Sequence, residues 1–223
     1  MKEIVLDTET TGLSVSDGHR IVEIGCIELE NQIPTNKKFH CYLNPERQVS
    51  EKAFEVHGYT NEFLSDKKKF KDIVEEFLLF IKDKKIIIHN AEFDISHINN
   101  ELSIIGKPKL SKENVVDTLD IARDKFPGSS ISLDALCKRY KIDNSRREKH
   151  TALIDCELLT KVYINLLDQK EPSLDFLSNN EGNIKFELNK EKNYSKKIIQ
   201  ISEEELKLHK DYLKNNLKKN YFN

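Results

Sequence analysis

The N-terminal part of the chain contains three segments whose apolar residues alternate with polar ones or form a short run, a pattern typical of β-strands. These segments are residues 2–6, 20–29 and 37–43, and we predict that Asn31–Thr35 forms the turn between the second and the third. Because consecutive strands joined by short turns pair antiparallel, the pattern predicts an antiparallel meander.

After Pro45 the apolar residues recur every three or four positions, which is typical of α-helices. The clearest case is residues 70–83, whose apolar positions predict one buried face: Phe70, Ile73, Val74, Phe77 and Ile81. Further helices are predicted at residues 51–56, 60–65, 92–105, 118–125, 132–140 and 151–168, and short strands at residues 84–89 and 115–117. Strands that are followed by alternating strands and helices predict an α/β fold with a mixed central sheet flanked by helices.

The C-terminal part has a different character. Residues 178–197 are rich in Asn and Lys and lack apolar periodicity, so we expect a flexible linker there. A terminal helix is predicted from Ser202, because Ser202 and Glu205 fit a capping box, and its apolar stripe would consist of Leu206, Leu213 and Leu217. We therefore divide the chain into a folded domain, residues 1–170, and a tail, residues 171–223.

The composition limits the classes of partner. The chain has 223 residues, of which 38% are hydrophobic and 33% charged, enough for one buried α/β domain with an appendage. The formal net charge is -2, whereas proteins that hold nucleic acid mainly through its phosphates are usually basic. Any contact with nucleic acid is therefore expected to be local, metal-mediated or shared with a partner, and the charge is equally compatible with no such contact.

The cysteines and the N-terminus indicate a cytoplasmic protein. The four cysteines are widely spaced and show no zinc-binding pattern, so we expect reduced thiols: Cys26, Cys41, Cys137 and Cys156. The N-terminal MKEIVLD runs directly into a predicted strand, which leaves no room for a signal peptide. No apolar run is long enough to span a bilayer, so no membrane contact is expected.

Three short segments carry acidic residues in positions suited to chemistry. In D-T-E-T-T-G, Asp7 and Glu9 lie two residues apart near a strand end and would project from one face of the sheet. Such a pair resists ionisation unless a cation lies between the carboxylates, and Mg²⁺ and Mn²⁺ prefer oxygen ligands. Taken alone the pair is weak evidence, because acidic pairs are common on solvated strand edges.

The other two segments lie at predicted helix starts. H-N-A-E-F-D places Asp94 in a first helical turn, and H-T-A-L-I-D places His150 and Asp155 around the start of the long helix. Each residue also has an ordinary explanation as a helix cap or a partner of the helix dipole. His150 and Asp155 would face one cleft if His150 precedes the first turn.

Taken together, the order and context of the three segments resemble the motifs of the DnaQ-like, DEDDh-type exonucleases. The resemblance implies a ribonuclease H-like fold, two divalent cations (Mg²⁺ or Mn²⁺) and His150 as general base. It also implies that four carboxylates hold the cations: Asp7, Glu9, Asp94 and Asp155.

Longer stretches, including HRIVEIGCIEL, AFEVHGYTNEFL and FPGSSISLDALCKRYKIDNS, resemble the epsilon subunits, the proofreading family of bacterial DNA polymerase III, over residues 2–168. The resemblance implies 3′→5′ removal of nucleoside 5′-monophosphates from DNA 3′ ends. Transferred to this sequence, the family's substrate contacts fall on Asp7, Glu9, Thr10, Thr11, Gly12, Lys52, Val56, His57 and Asp155. Lys52 departs from the acid that is commoner at its position.

The resemblance also suggests partners for the tail. The polymerase catalytic (alpha) subunit would bind the C-terminal tail, and a small accessory subunit is a further candidate partner. E-P-S-L-D-F, residues 171–176, falls where the family carries a peptide that binds the sliding clamp, with Ser173, Leu174 and Phe176 fitting. Glu171 replaces the usual Gln, so a plain linker explains the segment equally well.

Two other functions remain open from the sequence. An RNA-trimming exonuclease of the same superfamily would carry similar motifs, although the long tail and the replicative likeness argue against it. A non-catalytic binding module would tolerate loss of an acidic residue or of His150, and none of them is lost.

Overall fold

The computed structural model describes residues 2–147, 149–167 and 201–216. The chain divides into two units, Met1–Leu174 and Asp175–Asn223. The first contains a five-stranded sheet with helices packed on it, and the second contains one described helix.

The sheet is mixed, as the pattern of strands and helices predicted. The strands are β1 Lys2–Thr10, β2 Ile21–Glu30, β3 Ile33–Tyr42, β4 Lys85–Ile88 and β5 Val115–Asp117. Their order is β3-β2-β1-β4-β5, with β1, β2 and β3 antiparallel and β4 and β5 parallel to β1. The antiparallel meander is thus confirmed.

The helices follow the predicted order along the chain. They are α1 Glu51–His57, α2 Asn61–Ser65, α3 Phe70–Ile81, α4 Ala91–Ile104, α5 Thr118–Lys125, α6 Leu133–Tyr140, α7 Ala152–Leu166 and α8 Glu203–Asn216. Short 3₁₀ turns cover Val15–Asp17 and Lys112–Asn114. Among the described residues no helix is long and apolar enough to cross a membrane.

Helices cover both faces of the sheet. Ile4 and Leu6 of β1 pack against α3 and α4, while Val5 packs against α6 and α7 in a second core. Because alternate residues of a strand point to opposite faces, Asp7 and Glu9 share the face of Val5, which is the face that α7 covers.

Two strand boundaries differ from the predictions by more than one residue. β1 continues through the acidic motif, because Asp7 pairs with Gly25 and Glu9 with Glu23 on β2. The predicted turn at Asn31–Thr35 is wrong beyond its second residue. Asn31 and Gln32 adopt positive φ angles of 50° and 65°, the conformation of a two-residue hairpin loop, so β3 begins at Ile33.

Gly25 brings the start of α7 close to the sheet. A Cβ at this position would lie 2.6 Å from the Ala152 carbonyl carbon, a distance that no side chain tolerates. α7 begins there with Thr151 as its N-cap, whose side chain accepts a hydrogen bond from the Ile154 amide. His150 therefore precedes the first turn, which is the condition under which His150 and Asp155 would face one cleft.

The predicted capping box is present at the start of α8, so this prediction is confirmed. The Ser202 amide donates to Glu205 at 3.0 Å, and the Glu205 amide donates to Ser202 Oγ at 3.3 Å. The linker at residues 178–197, the clamp residues Ser173, Leu174 and Phe176, and Leu217 of the stripe lie outside the described residues. All four cysteines are free thiols, as expected.

Candidate active site

A residue near the C-terminal end of β1 connects two of the acidic motifs. Thr8, between Asp7 and Glu9, points to the opposite face, where its amide and its hydroxyl donate to Asp94 Oδ1 at 2.9 and 2.7 Å. Asp94 is buried in the first turn of α4. The bonds from Thr8 thus fix the third acidic residue directly against the strand that carries the first two.

Asp117 holds the start of α4 from the other side. Its carboxylate accepts hydrogen bonds from the amides of Asn90 and Ala91 at 3.0 and 2.8 Å, and from its own helix at Leu119. Asp117 is therefore the N-cap of α5 and also orients the loop that leads to Asp94. Asn90 adopts a positive φ of 68° at this junction.

The third motif reaches the same place from α7. The Nδ1 atom of His150 lies 3.4 Å from Asp155 Oδ2, and the His150 amide donates to the Val56 carbonyl at 3.2 Å. Ligand atoms of Glu9, His150 and Asp155 all lie within 4.8 Å of one another. The structure thus brings the predicted acids and the histidine of all three motifs to one end of the sheet.

The carboxylates strongly perturb one another. Burial, together with the charges of Asp94, Glu9 and Asp155, raises the pKa of Asp7 well above its ordinary value. Burial and the charges of Asp155 and Glu23 raise the pKa of Glu9 to about 8. The pKa of Asp94 rises to about 7, again mainly through burial, although the bonds from Thr8 oppose the rise. A cation at this position would relieve the repulsion.

Arg147 is a member of this site that sequence reasoning missed. Its Nε and Nη2 atoms donate to the two Asp155 oxygens at 2.6 and 2.7 Å. Burial alone would raise the pKa of Asp155, but the neighbouring His150 and the hydrogen bonds and charge of Arg147 outweigh it and hold that pKa below the ordinary value. The only sequence signal was a basic residue three positions before His150, within a charged run typical of solvated surface.

Two adjoining cavities share Glu9. One, of about 470 Å³, is lined by residues that include Asp7, Glu9, Arg147, His150 and Asp155. The other, of about 500 Å³, is lined by most of the predicted substrate residues: Glu9, Thr10, Gly12, Lys52, Val56 and His57. The acids therefore lie beside a space large enough for a ligand.

Thr11 and His57, two of the buried residues in the predicted substrate set, make hydrogen bonds within the protein. The Thr11 hydroxyl is turned away from this cavity and bonds His19 Nδ1 at 3.0 Å. His57 accepts from the Tyr59 amide on Nδ1 and therefore donates from Nε2 to the Thr10 carbonyl at 3.2 Å. Burial lowers the pKa of His57, which favours its neutral form. Phe93 also lines the cavity.

Comparisons with known proteins identify the family. The family model described as exonuclease matches residues 4–163. DNA polymerase III subunit epsilon of Rickettsia felis is 45% identical over 224 residues, covering 98% of each chain. The corresponding Buchnera aphidicola (Schizaphis graminum) subunit is 48% identical over 223 residues, covering 95% of each. This chain belongs to the epsilon family of proofreading exonucleases.

A solved structure supports the fold of this epsilon family member. Exonuclease X in complex with 5′ overhanging duplex DNA is 25% identical, with a TM-score of 0.59, over 75% of this chain and 92% of that one. The DEDDh exonuclease superfamily depends on divalent metal ions, and the donor set here fits such ions, because carboxylate oxygens crowd around Glu9 and Asp155.

Proposed function

We propose that this protein removes nucleotides one at a time from the 3′ end of DNA, as the proofreading subunit of a bacterial replicative polymerase. The observation that carries the proposal is the meeting of five residues at one end of the sheet, beside a cavity: Asp7, Glu9, Asp94, Asp155 and His150. Membership of the epsilon family of DNA polymerase III supports the substrate and the biological role.

We assign the two cations, Mg²⁺ or Mn²⁺, to Asp7, Glu9, Asp94 and Asp155. When bound, such ions neutralise charge on the scissile phosphate and acidify a water molecule. His150 is the general base that accepts the proton of the attacking water. Attack at phosphorus breaks the bond to the 3′ oxygen of the preceding nucleotide, so a nucleoside 5′-monophosphate leaves and a new 3′-hydroxyl remains.

We assign the cavity of about 500 Å³ to the 3′-terminal nucleotide. Neutral His57 closes one wall and orders the backbone at Thr10, while Val56 offers an apolar surface to the base or sugar. Lys52 is exposed at the rim, where its ammonium group would meet a phosphate. A local phosphate contact of this kind is compatible with a net charge of -2.

The partners follow from the family and not from the contacts of the described residues. We assign polymerase alpha-subunit binding to the tail, because a tethered exonuclease has a high effective concentration at the primer end. The clamp motif at Ser173, Leu174 and Phe176 and a small accessory subunit remain proposals of the same kind. A replicative subunit of this kind would work in the cytoplasm.

A DNA-trimming assay tests the proposal. The purified full chain, with Mg²⁺ or Mn²⁺, should progressively shorten single-stranded DNA labelled at its 5′ end. The ladder should vanish with EDTA and in the Asp7→Ala variant. A folded protein that shortens no DNA with either metal would favour a non-catalytic module, and faster trimming of RNA would favour an RNA exonuclease.

A further inference from the structure

Arg147 has a largely buried side chain and makes several polar contacts within the site, unlike a solvated arginine on a protein surface. Its side chain is only 7% exposed and lies between α6 and α7. Besides the two bonds to Asp155, Nη2 contacts His150 Nδ1 at 2.8 Å and Nη1 donates to Asp134 Oδ2 at 2.7 Å. One guanidinium therefore joins two carboxylates and the histidine.

This arrangement conflicts with cation binding at Asp155. A bidentate guanidinium–carboxylate pair occupies one lone pair on each carboxylate oxygen, so a cation on Asp155 would have to share an oxygen with the guanidinium. A fixed positive charge beside Asp155 also repels a divalent ion. Arg147 and a cation on Asp155 therefore compete for the same carboxylate.

The structure offers the guanidinium a second anion. Asp134, at the start of α6, already accepts from Nη1, and its side chain is 57% exposed. Because the Asp134 side chain is exposed, Arg147 has room to shift toward it. After such a shift the guanidinium would still have the Asp134 carboxylate as its counter-ion. The same shift would also free His150 Nδ1. As long as Arg147 Nη2 donates to Nδ1, that atom is occupied, and the neutral imidazole carries its proton on Nε2.

We propose that Arg147 is a built-in counter-ion that orients and neutralises Asp155 until a divalent cation displaces the guanidinium toward Asp134. The proposal rests on the proposed function, in which Asp155 is a metal ligand. In this role Arg147 is a positioning residue that sets the cation affinity of the site. Cation binding and the release of Asp155 from Arg147 are then a single event.

Manganese binding, measured by the loss of free Mn²⁺ electron paramagnetic resonance signal, tests this on the full chain. Arg147→Gln should bind Mn²⁺ about tenfold more tightly than the natural protein, since a competing charge-assisted pair has been removed. Arg146→Gln is the matched control, because it removes the same charge from the neighbouring exposed position. The metal-free Arg147→Gln protein should also melt at a lower temperature, and saturating Mn²⁺ should restore most of the difference.

The outcomes distinguish a failure of the counter-ion proposal from a failure of the proposed function. If Arg147→Gln binds Mn²⁺ no more tightly than Arg146→Gln, the counter-ion proposal is wrong, even when the natural protein trims DNA. If the natural protein neither binds Mn²⁺ nor trims DNA, the proposed function itself fails. Should Arg147→Gln not fold, arginine side-chain ¹⁵N spectra of the natural protein decide: a buried guanidinium signal that saturating Mg²⁺ leaves unchanged would overturn the proposal.

Discussion

Thr8→Val isolates the link between β1 and the acid on α4. Valine has nearly the shape of threonine and fits a strand, so the change removes only the hydroxyl that donates to Asp94 at 2.7 Å. The Thr8 amide still donates at 2.9 Å. A buried hydrogen bond to a charged group contributes roughly 1.5–3 kcal/mol, so the loss should lower the free energy of unfolding by about 2 kcal/mol.

For a domain of this size, that loss corresponds to a melting temperature lower by about 4–8 °C. The looser Asp94 should lower kcat by between about 10- and 100-fold, because small displacements of catalytic groups are costly. The bonds from Thr8 oppose the rise of the Asp94 pKa. Their partial loss should therefore move the acidic limb of the activity profile to higher pH.

Thr160→Val is the matched control. Thr160 is also buried, and its hydroxyl donates at 2.8 Å to the Cys156 carbonyl within α7 and not to an acid. Thermal melting and steady-state trimming of labelled DNA are measured for both variants. If Thr8→Val keeps the kcat and pH profile of the natural protein, or if Thr160→Val loses as much kcat, the hydroxyl does not position Asp94.

Three further predictions concern protonation, the substrate wall and the tail. The raised pKa of Glu9, about 8, means that metal-free stability falls as pH rises from the ordinary value of 4.5 to about 8, because only the unfolded chain loses the proton. Mg²⁺ should therefore raise the melting temperature more at pH 8 than at pH 6, and an equal rise would contradict the repulsion argument. Tyr59→Phe removes a 2.7 Å bond to buried Glu23 and should cost about 1–3 kcal/mol. Since Tyr59 supports the neighbouring substrate wall, KM for DNA should rise more than kcat falls. Deleting residues 178–223 should abolish polymerase binding in gel filtration yet leave free exonuclease activity, and loss of both would refute a modular tail.

Local sequence pattern was sufficient for most elements. The helix predicted at residues 70–83 is α3, Phe70–Ile81, because its apolar spacing matches the helical repeat and its partner is a continuous sheet face. The capping box at Ser202 needs only neighbours three residues apart. The three acidic motifs also have short spacing in a recognisable strand or helix context, but their joint resemblance to a known family was needed to assign them a role.

Boundaries that depend on partners were less predictable. β1 extends through Asp7 and Glu9 although charged residues usually end a buried strand, because β2 supplies the pairing. The approach of α7 to the sheet depends on the missing Cβ of Gly25, whose neighbour Ala152 is distant in the chain. Neither fact has a periodic signature.

The sequence by itself determined the order of strands and helices along the chain and the mixed sheet, because both follow from spacing along the backbone. It also determined the five residues proposed for chemistry, but through the resemblance of their motifs to a known family and not through spacing alone. Only the tertiary structure decided the charge states of these five residues and the hydrogen bonds that hold them in place. Thr8 and Asp94 meet across 86 positions, and Arg147 reaches Asp155 through the path of the loop before α7. Burial and hydrogen bonding, which set pKa values and compete with cations, are properties of packed neighbours that backbone periodicity does not encode.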